Sequence, residues 1–204
     1  MKEFDALLIH GQGYTNPPGE FPRPSNRGRM EIAAARYLNT KGIRVKNYFF
    51  SGFAFPGQEI PLAQVDAQEL INKNGVDPSS VHVDTTARTT SMEIAAFKQK
   101  SDEMGWTSLL DLTVGSHKKE VELLTERTFR GRRRVAVLSA EEILLSLPQE
   151  EERIVYERQI RRFHRSKNEL RVRVYERIKH AIISVPFGVT LLEKISHIYR
   201  PDPS

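Results

Sequence analysis

The sequence predicts an α/β protein: a three-layer, Rossmann-like parallel sheet of about five strands, followed by a C-terminal helical extension. Two observations carry this. Short apolar runs alternate with segments of helical periodicity as far as residue 140, and beyond that point the pattern is helical only. Strand and helix in alternation imply right-handed crossovers and a parallel sheet covered on both faces. The predicted boundary therefore lies near residue 140, between an α/β body (1–140) and an extension (141–204) packed on or beside it.

Each element has its own signal. Strands are predicted over residues 6–9, 43–50, 80–83, 108–114 and 135–138, all short and rich in apolar or β-branched side chains. Between them, Ile32, Ala35 and Leu38 share a helix face, as Leu62, Val65 and Leu70 roughly do. Ile94, Ala95 and Phe97 mark the third helix, and Val121, Leu123 and Leu124 the fourth. Three Ser/Thr-x-x-Glu capping boxes, Thr90 with Glu93, Ser139 with Glu142 and Ser166 with Glu169, predict helix starts. In the extension, Pro148 ends one helix, residues 150–165 form another, and Leu170, Val174, Ile178 and Ala181 repeat at near-helical spacing.

Composition excludes several classes of function. The 204 residues are 39% hydrophobic and 28% charged, enough apolar content for a packed core and too much for a disordered chain. Without cysteine there is no disulfide framework, thiolate metal site or thiol nucleophile. The first apolar run is too short for a signal peptide or membrane span, so the expected compartment is the cytoplasm. The net charge of +5 comes from 31 basic and 26 acidic residues, mostly interleaved, so a dedicated nucleic-acid binder is not expected. Basic clusters at 130–134 and 158–167 leave one alternative open, a nucleic-acid or protein interaction module acting through the C-terminal helices. No HExxH, paired-histidine or clustered-carboxylate spacing points to a metal.

In an open parallel sheet, ligands bind where strands end and helices begin, because helix N-termini there favour negative groups. The first strand exits into His10-Gly11-Gln12-Gly13, where glycine lets backbone approach a ligand. The following Pro/Gly-rich tract is longer than the roughly 2–6 residues usual for such a connection, and it delivers Arg27-Gly28-Arg29 to a helix start suited to an anion. The second strand exits into Ser51-Gly52, without the acidic residue a nicotinamide site would need. The third exits into Asp84 and then Arg88, Thr89 and Thr90, where Arg88 has no capping duty. The fourth ends in Ser116-His117, and a histidine at a helix start is placed as a general acid or base.

The four exits together resemble the YdcF-like family, which includes SanA and ElyC and is known as a domain of unknown function. The likeness covers about residues 5–140. It rests on His10-Gly11-Gln12-Gly13 with Arg29, on Ser51-Gly52, on Gly75-Val76, on Asp84 with Ala87-Arg88-Thr89-Thr90, and on residues 113–120 with His117 in the histidine place. Ala87 stands where serine is usual, Thr89 where asparagine is, and Glu120 where an arginine is. The resemblance implies S-adenosylmethionine as a cofactor and an association with the cell envelope, with no settled reaction. The residues themselves favour a small anionic, phosphate-bearing ligand. Its expected contacts are Gly11, Gln12, Gly13, Arg29, Ser51, Gly52, Asp84, Arg88, Thr89, Thr90 and Ser116, with His117 the expected catalytic group.

Overall fold

The computed structural model describes residues 1–11, 13–15, 21–54, 57–131 and 133–165. Five strands form one parallel sheet: β1 (Lys2–His10), β4 (Ile43–Ser51), β5 (Val81–Asp84), β6 (Leu109–Thr113) and β7 (Val135–Ser139). Their spatial order is β5-β4-β1-β6-β7, every pair parallel. The chain steps from β1 outward through β4 to β5, then returns to lay β6 and β7 on the other side of β1. The switch point, where a crevice opens at the carboxyl ends of such sheets, therefore lies between β1 and β6.

Alternation along each strand divides the core. Leu7 and Ile9 of β1, Phe50 of β4 and Leu110 and Leu112 of β6 face the helices α1 (Asn26–Tyr37), α2 (Leu62–Asn74) and α5 (Ala140–Leu145). Ala6, Leu8, Phe49 and Leu109 face α3 (Thr90–Met104) and α4 (Lys118–Phe129). This is the three-layer arrangement the sequence predicts. The stripe on α3 differs in detail, because Ala95 is exposed and Glu93, Ile94, Phe97 and Ser101 are the buried positions.

Within the long connection after β1, β2 (Tyr14–Thr15) and β3 (Arg23–Pro24) pair antiparallel. Ser25 then caps α1, its hydroxyl accepting from the Gly28 amide at 3.3 Å. On the other side of residue 140, α5 lies against α1, and Ile143, Leu144 and Leu147 join the same core cluster as β1. The helix α6 (Glu150–Arg165) adds Ile160 to that cluster and sets Tyr156 edge-on to Tyr37, with ring centres 5.9 Å apart. The capping box at Ser166 and the repeat from Leu170 to Ala181 lie outside the described residues. No helix among the described residues is long and apolar enough to cross a membrane.

Candidate functional site at the switch point

His10 is the last residue of β1, and side-chain alternation turns it toward the α3/α4 face with Ala6 and Leu8. Asp111 of β6 lies on the same face, with Leu109. The two meet below the switch point, where His10 Nε2 is 2.9 Å from Asp111 Oδ1. On its other side, His10 Nδ1 is 2.5 Å from Glu93 Oε2, carried in by the first turns of α3. Thr125 of α4 completes the chain, its hydroxyl 3.5 Å from Asp111 Oδ2. Burial alone would push the His10 pKa down, but the adjacent charges of Asp111 and Glu93 outweigh it and hold the imidazole well above its usual range.

This arrangement corrects the expected capping box of α3. Thr89, not Thr90, caps the helix, its hydroxyl accepting from the Met92 amide at 3.3 Å. Glu93 turns inward to His10 rather than back to the cap, because an imidazolium is a stronger partner for a buried carboxylate than a neutral amide. At α5 the serine half of the predicted box is present: Ser139 accepts from the Glu142 amide at 3.4 Å. The Glu142 carboxylate reaches Lys118 at 3.0 Å.

The opposite face of the sheet supplies further carboxylates. Glu31 of α1 is fully buried and accepts from the Val114 amide at 3.1 Å, and Glu141 of α5 accepts from the Gly115 amide at 2.7 Å. Burial, with the charge of Asp66 adding to it against the pull of His10, holds the Glu31 carboxyl well above its ordinary range. Two amides of the turn after β6 are thus taken by internal carboxyl groups and are closed to a ligand, whereas side chains at the rim can still donate.

Arg27 is such a side chain. From the first turn of α1 its guanidinium donates to Ser116 Oγ at 3.3 Å, across the switch point, and lies 5.6 Å from the Phe163 ring centre of α6. Arg29 is exposed and donates to Asn26 Oδ1 at 2.7 Å within its own turn. Arg88 lies over the Phe53 ring, 5.5 Å from its centre, at the exits of β4 and β5. His117 precedes α4, with Nδ1 3.4 Å from Glu120 Oε2. Arg88 and His117 open α3 and α4 on the same edge and the same face. Three strand spacings separate their strands, on the order of 14 Å.

The remaining predicted residues build the edge itself. Gly11 and Gly52 abut: a Cβ on Gly11 would meet Ser51 O at 2.8 Å, and one on Gly52 would meet the Gly11 Cα at 3.2 Å. Glycine is needed there for backbone to pass backbone. Ser51 donates to Asp84 Oδ2 at 2.6 Å, and the Asp84 carboxylate also accepts from the Thr86 hydroxyl at 2.7 Å and the Ala87 amide at 3.3 Å. Burial would raise the Asp84 pKa, but the bonds from Ser51 and Thr86 lower it overall. Gly13 takes a positive φ of 82° at the start of the ribbon, and Gln12 lies outside the described residues. A polar groove of about 560 Å³ runs between β5 and α3 past His82, Asp84 and Lys100, on the outer edge of the sheet and away from the switch point. Among the described residues, no group of three or more His, Asp or Glu side chains is arranged to hold a metal ion.

Asp111 and Glu31 lie outside the motifs, and His10 stands inside one without being among the expected contacts. A signal exists for each acid. Asp111 interrupts the apolar strand Leu-Leu-Asp-Leu-Thr, and Glu31 falls on the same helical stripe as Ala35 and Leu38.

Fold and site define a class, an α/β protein of Rossmann-like order with a buried, charged floor at its switch point. Comparison with protein-family models, with curated proteins and with solved structures finds no match for this chain.

Proposed function

We propose that this is a divergent YdcF-like protein of the cytoplasm that binds a small phosphate-bearing or nucleotide-like ligand at the switch point. The observation that carries the reading is the Arg27–Ser116 hydrogen bond, which ties the first turn of α1, on one face of the sheet, to the turn after β6 that leads into α4 on the other. Arg27 at the switch point suits an oxyanion, as does Arg88 at the exits of β4 and β5, and each guanidinium lies over an aromatic ring. S-adenosylmethionine rests on the family resemblance alone and is the weaker candidate, since its sulfonium gains nothing from two arginines. The interaction-module alternative draws less support, because Arg161 of α6 is paired with Glu157 one turn away on its own helix.

The test is calorimetric titration of AMP and inorganic phosphate into wild type, Arg27→Ala, Arg88→Ala and His117→Ala. Binding by wild type that weakens roughly tenfold or more in the arginine variants supports the reading, a charge-assisted hydrogen bond being worth about 1.5–3 kcal/mol. Equal affinities in all four proteins would overturn it.

A further inference from the structure

The sheet ends in two edge strands, and among the described residues they are not alike. Every residue of β7 is partly or wholly buried, whereas Val83 of β5 is 42% exposed. The Gly52 amide donates to the Asp84 carbonyl at 3.0 Å, so Asp84 turns its polar backbone groups toward β4, and His82, two residues earlier, does the same. Val81 and Val83 therefore turn theirs to the open edge. The Val81 N–H is held by the Pro78 carbonyl, but among the described residues no strand lies beyond Val83 to take its N–H or C=O. No proline, lysine or bulge blunts the strand, although these are the usual protections of a sheet edge.

The charges beside the strand are polarised along it. Alternation turns His82 and Asp84 toward α3, His82 being level with Phe49, and the groove of about 560 Å³ runs on that side. Asp84 stands at the carboxyl end, where its hydrogen-bond partners Ser51, Thr86 and the Ala87 amide are all neutral. Lys100 stands beside His82, whose imidazole is held below its usual range by burial and then by the Lys100 charge. Lys100 also pairs with Glu103 at 3.5 Å on its own helix, at the surface. Turned end for end, the edge is its own complement, with acid against base and Val83 against Val83.

We infer that β5 is an interface for a second copy of this chain, paired antiparallel about a two-fold axis at Val83, so that two five-stranded sheets become one. In that register the two Val83 residues exchange N–H···O=C hydrogen bonds, and each Asp84 lies opposite the second copy's His82. The carboxyl ends of the two sheets then point in opposite directions. Neither copy covers the other's switch point, and the interface stands or falls independently of ligand binding.

The experiment is sedimentation velocity on the full chain at concentrations up to about 100 μM, for wild type, Val83→Pro and Val83→Lys. The expected result is a wild-type dimer whose dissociation constant rises roughly tenfold or more in each variant. Proline deletes one outward donor per copy, and lysine sets like charges face to face at the axis. The ladder to β4 uses the backbone of His82 and Asp84, so both variants should melt close to wild type. Where proline disturbs the strand, Val83→Lys carries the test at an exposed side chain. A wild type that stays monomeric overturns the proposal, and slow hydrogen exchange at the Val83 amide of that monomer assigns the edge to another part of the same chain. A dimer that both variants leave intact also overturns it, because the contact then lies elsewhere.

Discussion

Replacing Asp111 by asparagine keeps the volume of a fully buried side chain and removes its charge, so the cost reports the ion pair with little contribution from packing. His10 Nε2 is 2.9 Å from Asp111 Oδ1, and neither side chain is open to solvent. At an effective dielectric constant of about 20 the attraction at that distance is about 6 kcal/mol. The amide oxygen keeps a neutral hydrogen bond, and losses on breaking a buried pair run to about 3–5 kcal/mol, which is the expected destabilisation. For a chain of this length that corresponds to a fall in melting temperature of roughly 6–20 °C. Urea denaturation followed by far-ultraviolet circular dichroism at neutral pH measures it. Lys46→Ala is the control: its partner Glu3 lies at a similar distance, 2.8 Å, but both side chains are about half exposed, so the denaturation midpoint should stay near that of wild type. A loss below about 1 kcal/mol in Asp111→Asn would refute the view that His10 is held as a buried imidazolium.

Two further outcomes follow from the same geometry. The folded-state pKa of His10 lies above its unfolded value, so its stabilisation is fully present below about pH 6.5 and is lost as pH rises toward the folded value. Glu31 adds to the same slope from about pH 4.5 upward, since its raised carboxyl keeps a proton that the unfolded chain releases. Urea midpoints should therefore decline from pH 6 to pH 9, and less steeply in Asp111→Asn; a wild-type midpoint that rises over this range contradicts the assignment. Gly11→Ala should destabilise by about 1–3 kcal/mol, because the added methyl meets backbone atoms of Ser51 and Gly52 that cannot rotate away. A melting temperature equal to that of wild type would show that the strand exits are less tightly apposed.

The rim of the candidate site was legible as residue types, less so as positions. Arg88 and Ser116 stand where strand-exit reasoning puts them, because a parallel sheet brings every exit to one edge. Of the two arginines at the start of α1, the motif reading favours Arg29. Helix phase turns Arg29 to solvent and Arg27 toward Ser116, and a loop preceding a helix does not fix that phase in advance. Thr90 with Glu93 fits a capping box in sequence, but Thr89 beside it can cap the helix as well, and only the presence of His10 under the helix decides what Glu93 does.

The sequence by itself determined the layered architecture, since alternating apolar runs and helical stripes are local patterns that bury in one way. It also determined which residues stand at the strand ends. Tertiary structure decided the rest: the β5-β4-β1-β6-β7 order, and with it the pairing of His10 with Asp111, 101 residues away, and with Glu93, 83 residues away. The reason is physical. A charged group enters a core only when its partners enter with it, and the identity of partners so distant in the chain is set by which strands lie side by side.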